Sequence, residues 1–399
     1  MSIRELTLDE LGKVSRGRSR HRPRDAAFLY GGPYPFVQTG DVKKAGLYLR
    51  DFEQTYSEAG LEQSKLWPTG TLCITIAANI AETAILGIDA CFPDSVIGFS
   101  ADPLKADTRF VKYLFDAVLK MRFKAFTQGA AQDNLSQEKL LSIKFPVPKL
   151  DVQRIIADIL SAYDDLIENN RRRIGLLEEA ARLLYREWFV YFRFPGQEHV
   201  KITNGLPEGW QPLAIEEMTD FLGRGISPSY DDEADFVVVN QKCIRDRMLS
   251  MAPARKQKKE FPSTKALQFL DVLINSTGTG TLGRVAQCWF NPTGVTFDSH
   301  VTVARPNGSV DPYWFGYALL ALESVFEGMG DGATNQKELS RTRIASMTIN
   351  APSISLQKSF GLFAADSCRQ IQVLAEQNEK LAAARDLLLP RLISGEIAV

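Results

Sequence analysis

The chain has 399 residues, of which 45% are hydrophobic and 24% are charged, and its formal net charge is -1. This composition is typical of a globular protein with two or three domains, and no apolar run approaches the about 20 residues that cross a bilayer. Five scattered cysteines, an odd number without a C-x-x-C pair, indicate neither a disulfide framework nor a zinc ribbon. The N-terminal sequence is acidic and amphipathic and lacks the apolar stretch of a signal peptide, so a cytoplasmic location is expected.

Residues 1–149 are predicted to form a first mixed domain. The segment 71–76 is β-branched and bounded by turn residues, as strands are. Residues 16–24 contain five arginines, and two lysines follow a strand-like segment near residue 40. Such loops can neutralise DNA phosphates, although exposed basic loops are also ordinary solvated surface. The residues assigned to DNA in this domain are Arg16, Arg18, Arg20, Arg22, Lys43 and Lys44.

A long helix is predicted from 150 to 192. Apolar residues recur every three or four positions between Ile156 and Trp188, which is the period of a heptad-like helix. At about 1.5 Å per residue, such a helix is on the order of 60 Å long. Pro195 and Gly196 end it, so residues 193–209 are predicted to be a linker.

Residues 210–352 are predicted to form a second mixed domain. Its GTGTLG stretch, 278–283, matches the G-x-G-x-x-G of a dinucleotide site, which requires a helix directly after it. Residues 284–290 instead alternate like a strand, so the glycines are predicted to connect two strands. Whether this connection faces DNA or only completes the sheet stays open, with the sheet favoured. The residues assigned to DNA here are Lys242, Arg245, Arg247, Arg255, Lys256 and Lys258.

A second long helix is predicted within 353–399. Because a single helix cannot bury its own apolar stripe, the two helices are predicted to pair as an antiparallel coiled coil. The alternative is that each helix packs only on its own domain. Asn170 and Asn378 fall at the seam and would fix its register. The predicted seam comprises Ile159, Tyr163, Leu166, Asn170, Ile174, Leu177, Leu184, Ile371, Leu374, Asn378, Leu381 and Leu388.

The two halves share an order of motifs. Residues 110–115 (FVKYLF) correspond to 314–319 (WFGYAL), and residues 35–42 correspond to 235–244. GAAQDNLS at 129–136 and GATNQKELS at 332–340 each precede a proline-containing strand and a long helix. The predicted fold class is therefore α+β, with two tandem pseudo-symmetric mixed α/β domains, each followed by a long helix.

Sequence signatures of catalysis are missing. The chain contains no P-loop, zincin, nucleophile-elbow or EF-hand motif, and no N-P-P-[YF] tetrapeptide of amino-methyltransferases. Its three histidines, His21, His199 and His300, are far apart in the sequence, so they could share a metal only through long-range assembly. No catalytic residue, metal site or cofactor is therefore predicted in this chain, although missing motifs only weaken an enzyme interpretation.

In combination, these features resemble the specificity subunit of bacterial type I restriction-modification systems. The resemblance covers essentially the whole chain and is carried by LPEGW at 206–210, GATN at 332–335 with ELS at 338–340, LYREWF at 184–189 and LPRLISGEIAV at 389–399. It implies two target recognition domains that each read one half of a bipartite, asymmetric double-stranded DNA target, with the helices setting the spacer between the halves. The family's base-reading positions vary, so the DNA assignments above depend on the basic loops alone.

The resemblance also implies partners. Two modification subunits bind S-adenosylmethionine and methylate adenine, and restriction subunits use ATP and Mg. Two other interpretations stay open: a coiled-coil scaffold without DNA specificity, and a self-sufficient DNA methyltransferase or nuclease. The scaffold predicts no salt-sensitive DNA binding by the complex with a methyltransferase. The enzyme predicts S-adenosylmethionine binding or metal-dependent cleavage by the isolated chain.

Overall fold

A computed structural model describes residues 3–126, 136–331 and 337–399 of the chain. The chain divides into two compact units, the first made of Met1–Arg171 with Glu376–Val399 and the second of Arg172–Ala375. The motif residues 129–135 and 332–335, including Gly129 and Gly332, lie outside the described residues.

The first unit is built from eleven strands and five helices within its described residues, besides its share of the two long helices. The strands are β1 (Arg4–Leu6), β2 (Gly12–Arg16), β3 (Tyr30–Phe36), β4 (Tyr48–Leu49), β5 (Gln54–Tyr56), β6 (Leu66–Trp67), β7 (Leu72–Thr75), β8 (Thr83–Leu86), β9 (Ala90–Cys91), β10 (Val96–Ala101) and β11 (Phe145–Val147). The helices are α1 (Leu8–Leu11), α2 (Thr39–Lys44), α3 (Glu58–Glu62), α4 (Thr108–Phe126) and α5 (Gln137–Ser142).

Two sheets organise the first unit. The main sheet has the order β2-β10-β7-β8-β4 and the smaller sheet the order β5-β3-β9-β6, while β1 pairs with β11. Strand β7 is buried on both faces because alternate side chains enter different cores. Leu72 and Ile74 belong to a core with α4 residues, and Cys73 belongs to a core that includes Phe92 beside the smaller sheet. This double burial explains the continuous apolar run in the sequence.

The second unit repeats this plan. Its strands are β12 (Ile202–Thr203), β13 (Leu206–Pro207), β14 (Gln211–Ala214), β15 (Thr219–Arg224), β16 (Phe236–Val239), β17 (Ile244–Arg245), β18 (Met248–Leu249), β19 (Arg255–Gln257), β20 (Val272–Asn275), β21 (Val285–Gln287), β22 (Val295–Phe297), β23 (Val301–Pro306) and β24 (Thr348–Ala351). Two long helices serve both units: α6 (Leu150–Tyr185), which continues as a π-helical turn at Arg186–Val190, and α10 (Ile354–Ile393). The shorter helices of the second unit are α7 (Pro312–Ala321), α8 (Glu323–Gly328) and α9 (Arg341–Ser346).

The sheet topologies confirm the internal repeat. The main sheet of the second unit has the order β15-β23-β20-β21, which matches β2-β10-β7-β8 strand for strand. The smaller sheets also correspond, since β16 pairs in parallel with β22 as β3 does with β9, and β14 pairs with β24 as β1 does with β11. The strand predicted at 71–76 corresponds to β7.

Each long helix contributes one segment to each unit, and the two helices run antiparallel within each unit. In the first unit, Asn170 Nδ2 donates to Asn378 Oδ1 at 3.0 Å, and Arg385 pairs with the buried Asp164. Residue numbers therefore increase along α6 in the same direction in which they decrease along α10, so the helices are antiparallel here. In the second unit, the ring of Tyr185 contacts that of Phe360, with centroids 5.7 Å apart. Within the described ranges, no helix is both long and apolar enough to cross a membrane.

The structure places the predicted seam residues as follows. Asn170, Ile371 and Leu374 are buried. The half-buried members are Ile159, Tyr163, Ile174, Leu177, Leu184, Asn378, Leu381 and Leu388. Leu166 is a correction, because its side chain is 52% exposed while that of Ile167 is 5% exposed. Between Tyr163 and Asn170 a heptad pattern allows a seam residue either three positions after Tyr163, at Leu166, or four positions after it, at Ile167. The structure buries Ile167.

A buried glutamine ties the start of each long helix to the unit in which that helix begins. Gln153, 1% exposed, accepts from the Asp107 N–H at 3.1 Å and donates to the carbonyls of Lys105 and Pro148, each at 3.0 Å. Asp107 in turn accepts from the first N–H groups of α4.

The second unit contains the same joint. Gln357, 3% exposed, accepts from the Asp311 N–H at 2.9 Å and donates to the Pro352 carbonyl at 2.9 Å. Asp311 caps α7 by accepting from the N–H groups of Tyr313 and Trp314. These glutamine contacts, which we call the joints, hold the start of α6 to the start of α4 in the first unit and the start of α10 to the start of α7 in the second unit.

Candidate nucleic-acid interface

Three segments of the first unit meet at the tip of the β7–β8 hairpin. The Ile76 N–H, where the hairpin loop begins, donates at 3.0 Å to the carbonyl of Ser95 in the turn before β10. Lys43 Nζ, on α2, donates at 3.3 Å to Asn79 Oδ1 in the loop. We call the group Lys43, Asn79 and Ser95 the hairpin-tip surface of the first unit.

The arginine-rich loop 16–24 is held by its backbone beside this surface. Gln63 Oε1 accepts from the N–H groups of Arg20 and His21 at 2.6 and 3.0 Å, and Ser64 Oγ donates to the Arg18 carbonyl at 2.8 Å. These bonds fix the backbone of the loop but do not involve the side chains of its arginines.

The arginines of this loop have different environments. Arg16 donates to the Asp94 carbonyl, at 2.8 Å for its shorter bond, and Arg24 pairs with the Asp94 carboxylate at 2.9 Å. Arg22 donates to carbonyls of its own loop. Across the part of the chain that the structure describes, the guanidinium groups of Arg18 and Arg20 have no hydrogen bond or ion pair. These two groups can therefore bind a phosphate without first breaking an internal contact.

The lysines assigned to DNA in the first unit differ in the same way. Lys43 belongs to the hairpin-tip surface, whereas Lys44 pairs with Glu53 on the outside of the unit. The neighbouring glutamate lowers the electrostatic attraction that Lys44 offers to a phosphate.

The GTGTLG stretch connects β20 to β21, which confirms that it is a link between strands. These two strands pair antiparallel, and no helix follows the glycines directly. Gly283 has a φ of +81°, and a Cβ atom there would lie 2.4 Å from the Glu327 amide nitrogen, so only glycine fits. Gly280 has a φ of +74° and open space around its Cβ position. One end of the stretch therefore completes the sheet, and the other forms an exposed tip.

The second unit brings the equivalent three segments together. The Ser276 N–H donates at 2.8 Å to the carbonyl of His300, in the turn before β23. Gln241 Nε2, in a short 3-10 turn after β16, donates to Thr277 O at 2.8 Å and also to Thr277 Oγ1. His300 Nδ1 lies 2.8 Å from the same hydroxyl oxygen. We call Gln241, Thr277 and His300 the hairpin-tip surface of the second unit.

Two carboxylates next to this surface are neutralised by arginines. Arg224 pairs with Glu338 at 2.6 Å, and the backbone of Glu338 forms a bridge with Thr277. Arg343 pairs with Asp331 at 2.9 Å. Local negative charge is thereby reduced where a polyanion would approach.

The basic residues assigned to DNA in the second unit do not converge on its hairpin tip as one group. Lys242 is exposed directly after Gln241, and Arg245 is exposed on β17. Arg247 turns towards Glu323, with Nε 3.3 Å from the carboxylate. The remaining three lie on or just after the edge strand β19, where Arg255 stacks on Tyr230 at 3.6 Å, Lys256 is exposed and Lys258 lies 3.6 Å from Asp231.

Reasoning from basic loops missed Asn79, Gln241, Thr277 and His300. The signal for these residues is the repeat itself. Aligning the two halves at an offset of roughly 200 places the hairpin loops, the turns before β10 and β23 and the segments after β3 and β16 opposite one another. Uncharged polar residues at such positions are candidates for reading base edges, which a search for lysine and arginine overlooks.

The buried ionisable groups fit structural roles. All five cysteines are buried, and burial raises the pKa of the Cys288 and Cys368 thiols to about 12, so these thiols are poorly reactive. Burial also raises the pKa of Asp298, although backbone N–H groups of the same turn partly offset the effect. Among the residues with described positions, no three or more His, Cys, Asp or Glu side chains are grouped to hold a metal ion.

Comparisons with known proteins identify the type of protein that shares this architecture. Residues 3–179 match the model of the type I restriction modification DNA specificity domain. The MjaIX type I restriction enzyme specificity subunit of Methanocaldococcus jannaschii is 24% identical, over 93% of this chain and 88% of its own length. The EcoR124I/EcoR124II specificity subunit of Escherichia coli is 27% identical over 49% of each chain.

A solved structure shows the same fold. The S subunit of a type I restriction-modification system from M. genitalium superposes with a TM-score of 0.58 and 17% sequence identity, covering 98% of this chain and 96% of that one. The domain match, the nearly full-length relative and the shared fold agree with the duplicated topology described above. The chain is therefore similar to type I restriction-modification specificity subunits, in sequence through the domain match and the relatives and in fold through the solved structure.

Proposed function

We propose that this chain is the DNA-recognition subunit of a type I restriction-modification complex. Each unit reads one half of a bipartite, asymmetric double-stranded target through its hairpin-tip surface and the basic residues near it. The observation that carries this proposal is that the two units share one sheet topology but present different side chains at their hairpin-tip surfaces. Two copies of a single surface would read a palindrome, whereas Lys43 with Asn79 in one unit and Thr277 with His300 in the other suit two different half-sites.

The long helices are proposed to set the spacer and to bind two methyltransferase subunits. Both helices carry apolar side chains on their outer faces, and Leu176, Leu362 and Leu387 are at least 70% exposed. Exposed leucines on a helix pair already packed through another face suit contact with further helices. Restriction subunits complete the complex in this proposal.

The chain is proposed to have no catalytic residue of its own. S-adenosylmethionine, ATP and Mg would be bound by partner subunits, and the assembled complex would act on DNA in the cytoplasm. The competing scaffold and enzyme interpretations each predict a different outcome in a reconstituted system.

The test is co-expression of the full chain with the methyltransferase subunit from the same genome, in a host without other adenine methylation, followed by methylome sequencing. We expect one bipartite, asymmetric consensus with methylated adenine in both halves. An absence of sequence-specific methylation, together with salt-insensitive or absent DNA binding, would favour the scaffold. Methylation by the chain without its partner would favour the enzyme.

A further inference from the structure

His300 is the one histidine of the hairpin-tip surface, and its side chain is exposed although one ring nitrogen already has a partner. Its backbone is fixed on both sides. The His300 N–H donates to Asp298 Oδ1 at 2.9 Å, and its carbonyl accepts from the Ser276 N–H at 2.8 Å. The ring therefore sits on a well-anchored turn.

The hydrogen bonds around Thr277 leave its hydroxyl proton free to be donated to one ring nitrogen of His300. Gln241 Nε2 can only donate, so Thr277 Oγ1 accepts that bond. The single hydroxyl proton of Thr277 is then available for His300 Nδ1, 2.8 Å away. A neutral imidazole that accepts at Nδ1 carries its proton on Nε2. The chain Gln241–Thr277–His300 thus leaves an N–H donor as the remaining polar atom of an exposed side chain.

We propose that His300 reads a base in the second half-site by donating from Nε2 to an acceptor on a base edge. Thr277 and Gln241 are positioning residues that hold the ring and select its tautomer. The inference depends on the proposed function, because it names a residue that determines specificity in the same complex. In the major groove the available acceptors are N7 and O6 of guanine, N7 of adenine and O4 of thymine.

The surroundings favour a base over a phosphate as the partner. The tip next to His300 contains Thr279 and Gly280, both exposed, and the open space around Gly280 allows a close approach of the backbone. An N–H donor in a fixed direction provides geometric selection, whereas the long side chains of lysine and arginine commonly bind phosphates. Such cations are present on the edge strand, at Arg255 and Lys256.

The same position differs in the first unit. There the carbonyl that receives the first N–H of the hairpin loop belongs to Ser95, and the loop side chain Asn79 contacts Lys43. A change at His300 should therefore affect the second half-site and leave the first unchanged.

The experiment compares the methylome of the complex containing His300→Ala with that of the wild-type complex, and measures binding to duplexes that differ by single base pairs. We expect one position of one half-site to become degenerate, with a loss of discrimination on the order of 10-fold, while the other half-site keeps its consensus. A uniform loss of affinity with an unchanged consensus would indicate a phosphate contact and overturn the proposal. His199→Ala, in an exposed 3-10 turn, is the matched histidine control and should keep both half-sites.

The positioning role has its own readout. Thr277→Val removes the hydroxyl and should relax the same position as His300→Ala, whereas Thr277→Ser keeps the hydroxyl and should retain the wild-type consensus. Equal consensus sequences for the Val and Ser variants would exclude the tautomer-setting role. This pair also decides the matter if the His300→Ala complex does not assemble.

The outcome for the proposed function can be separated from the outcome for His300. If the wild-type complex shows no sequence-specific methylation, the proposed function fails. If the wild-type complex has a bipartite consensus and His300→Ala preserves it in full, only the present inference fails.

Discussion

Arg18 and Arg20 are the residues of the arginine loop whose guanidinium groups lack an internal partner in the described structure. We expect Arg18→Ala with Arg20→Ala to weaken DNA binding by the complex across all sequences. The slope of log K against log salt should decrease in magnitude by about one for each phosphate that the variant no longer neutralises. Titrations at several salt concentrations measure this slope, with Arg24→Ala as the control because Arg24 already pairs with Asp94. Equal affinity and equal slope would remove the loop from the interface.

Arg305 and Asp271 form a buried pair whose removal tests the packing of the second unit. The guanidinium contacts both carboxylate oxygens at 2.8 Å, and Asp271 is fully buried. Burial raises the pKa of Asp271 even though Arg305 opposes this shift. Arg305→Leu leaves a buried carboxyl unpaired, so we expect a loss of about 3–5 kcal/mol near neutral pH.

The pH dependence of this loss follows from the direction of the shift. In Arg305→Leu the pKa of Asp271 rises further, so the folded state prefers the protonated carboxyl more than the unfolded state does. The penalty is absent below the unfolded pKa of about 3.9 and grows as the pH rises through the folded value. Thermal unfolding should therefore show a larger difference from wild type at pH 8 than at pH 5. A difference that decreases towards pH 8 would contradict this assignment.

At the scale of single residues, the sequence predicted the burial of residues that follow the apolar period of a helix. It did not predict contacts between residues that lie far apart in the chain. The seam positions Ile371 and Leu374 are buried as the period indicates, whereas the phase choice between Leu166 and Ile167 needed the partner helix. His300 and Gln241 are about 60 residues apart in the chain and meet only through Thr277. No local pattern could have placed them together.

At the scale of elements, the long helices were predictable because about ten turns of apolar period provide many independent observations. The shortest strands were less predictable, since β4 in the main sheet and β6 and β9 in the smaller sheet have two residues each and depend on their neighbours for definition. The joints at Gln153 and Gln357 could be recognised in the sequence. The two glutamines are 204 residues apart, and so are their partners Asp107 and Asp311.

These joints give a prediction about how the long helices are anchored. Gln153→Leu leaves the Asp107 N–H and two carbonyls without their partner, so we expect a loss of about 1–3 kcal/mol. Gln357→Leu should have an effect of similar size in the second unit. Chemical unfolding measures both, with the exposed Gln377→Leu on α10 as the control. Variants as stable as the control would show that the glutamines contribute little.

At the scale of the whole molecule, duplication was predictable from the order of motifs, and the matching sheet orders confirm it. The division into units was harder to foresee. Each long helix changes unit part of the way along, at Arg171 in α6 and at Glu376 in α10. This follows from antiparallel pairing, which brings the end of the chain back to the first unit. Domains defined as consecutive stretches of sequence cannot describe a unit that contains both ends of the chain.

The level at which both helices change unit is where helix length can be altered without disturbing either core. We expect one heptad inserted between Arg171 and Arg172, together with one between Ala375 and Glu376, to keep the seam in phase. Seven helical residues add about 10 Å, which corresponds to about three base pairs of DNA. Methylome sequencing of the complex should therefore show unchanged half-sites separated by a longer spacer. The same heptad placed in one helix alone should disrupt the pairing and reduce methylation. An unchanged spacer in a complex that still methylates would exclude the helices as the determinant of spacing.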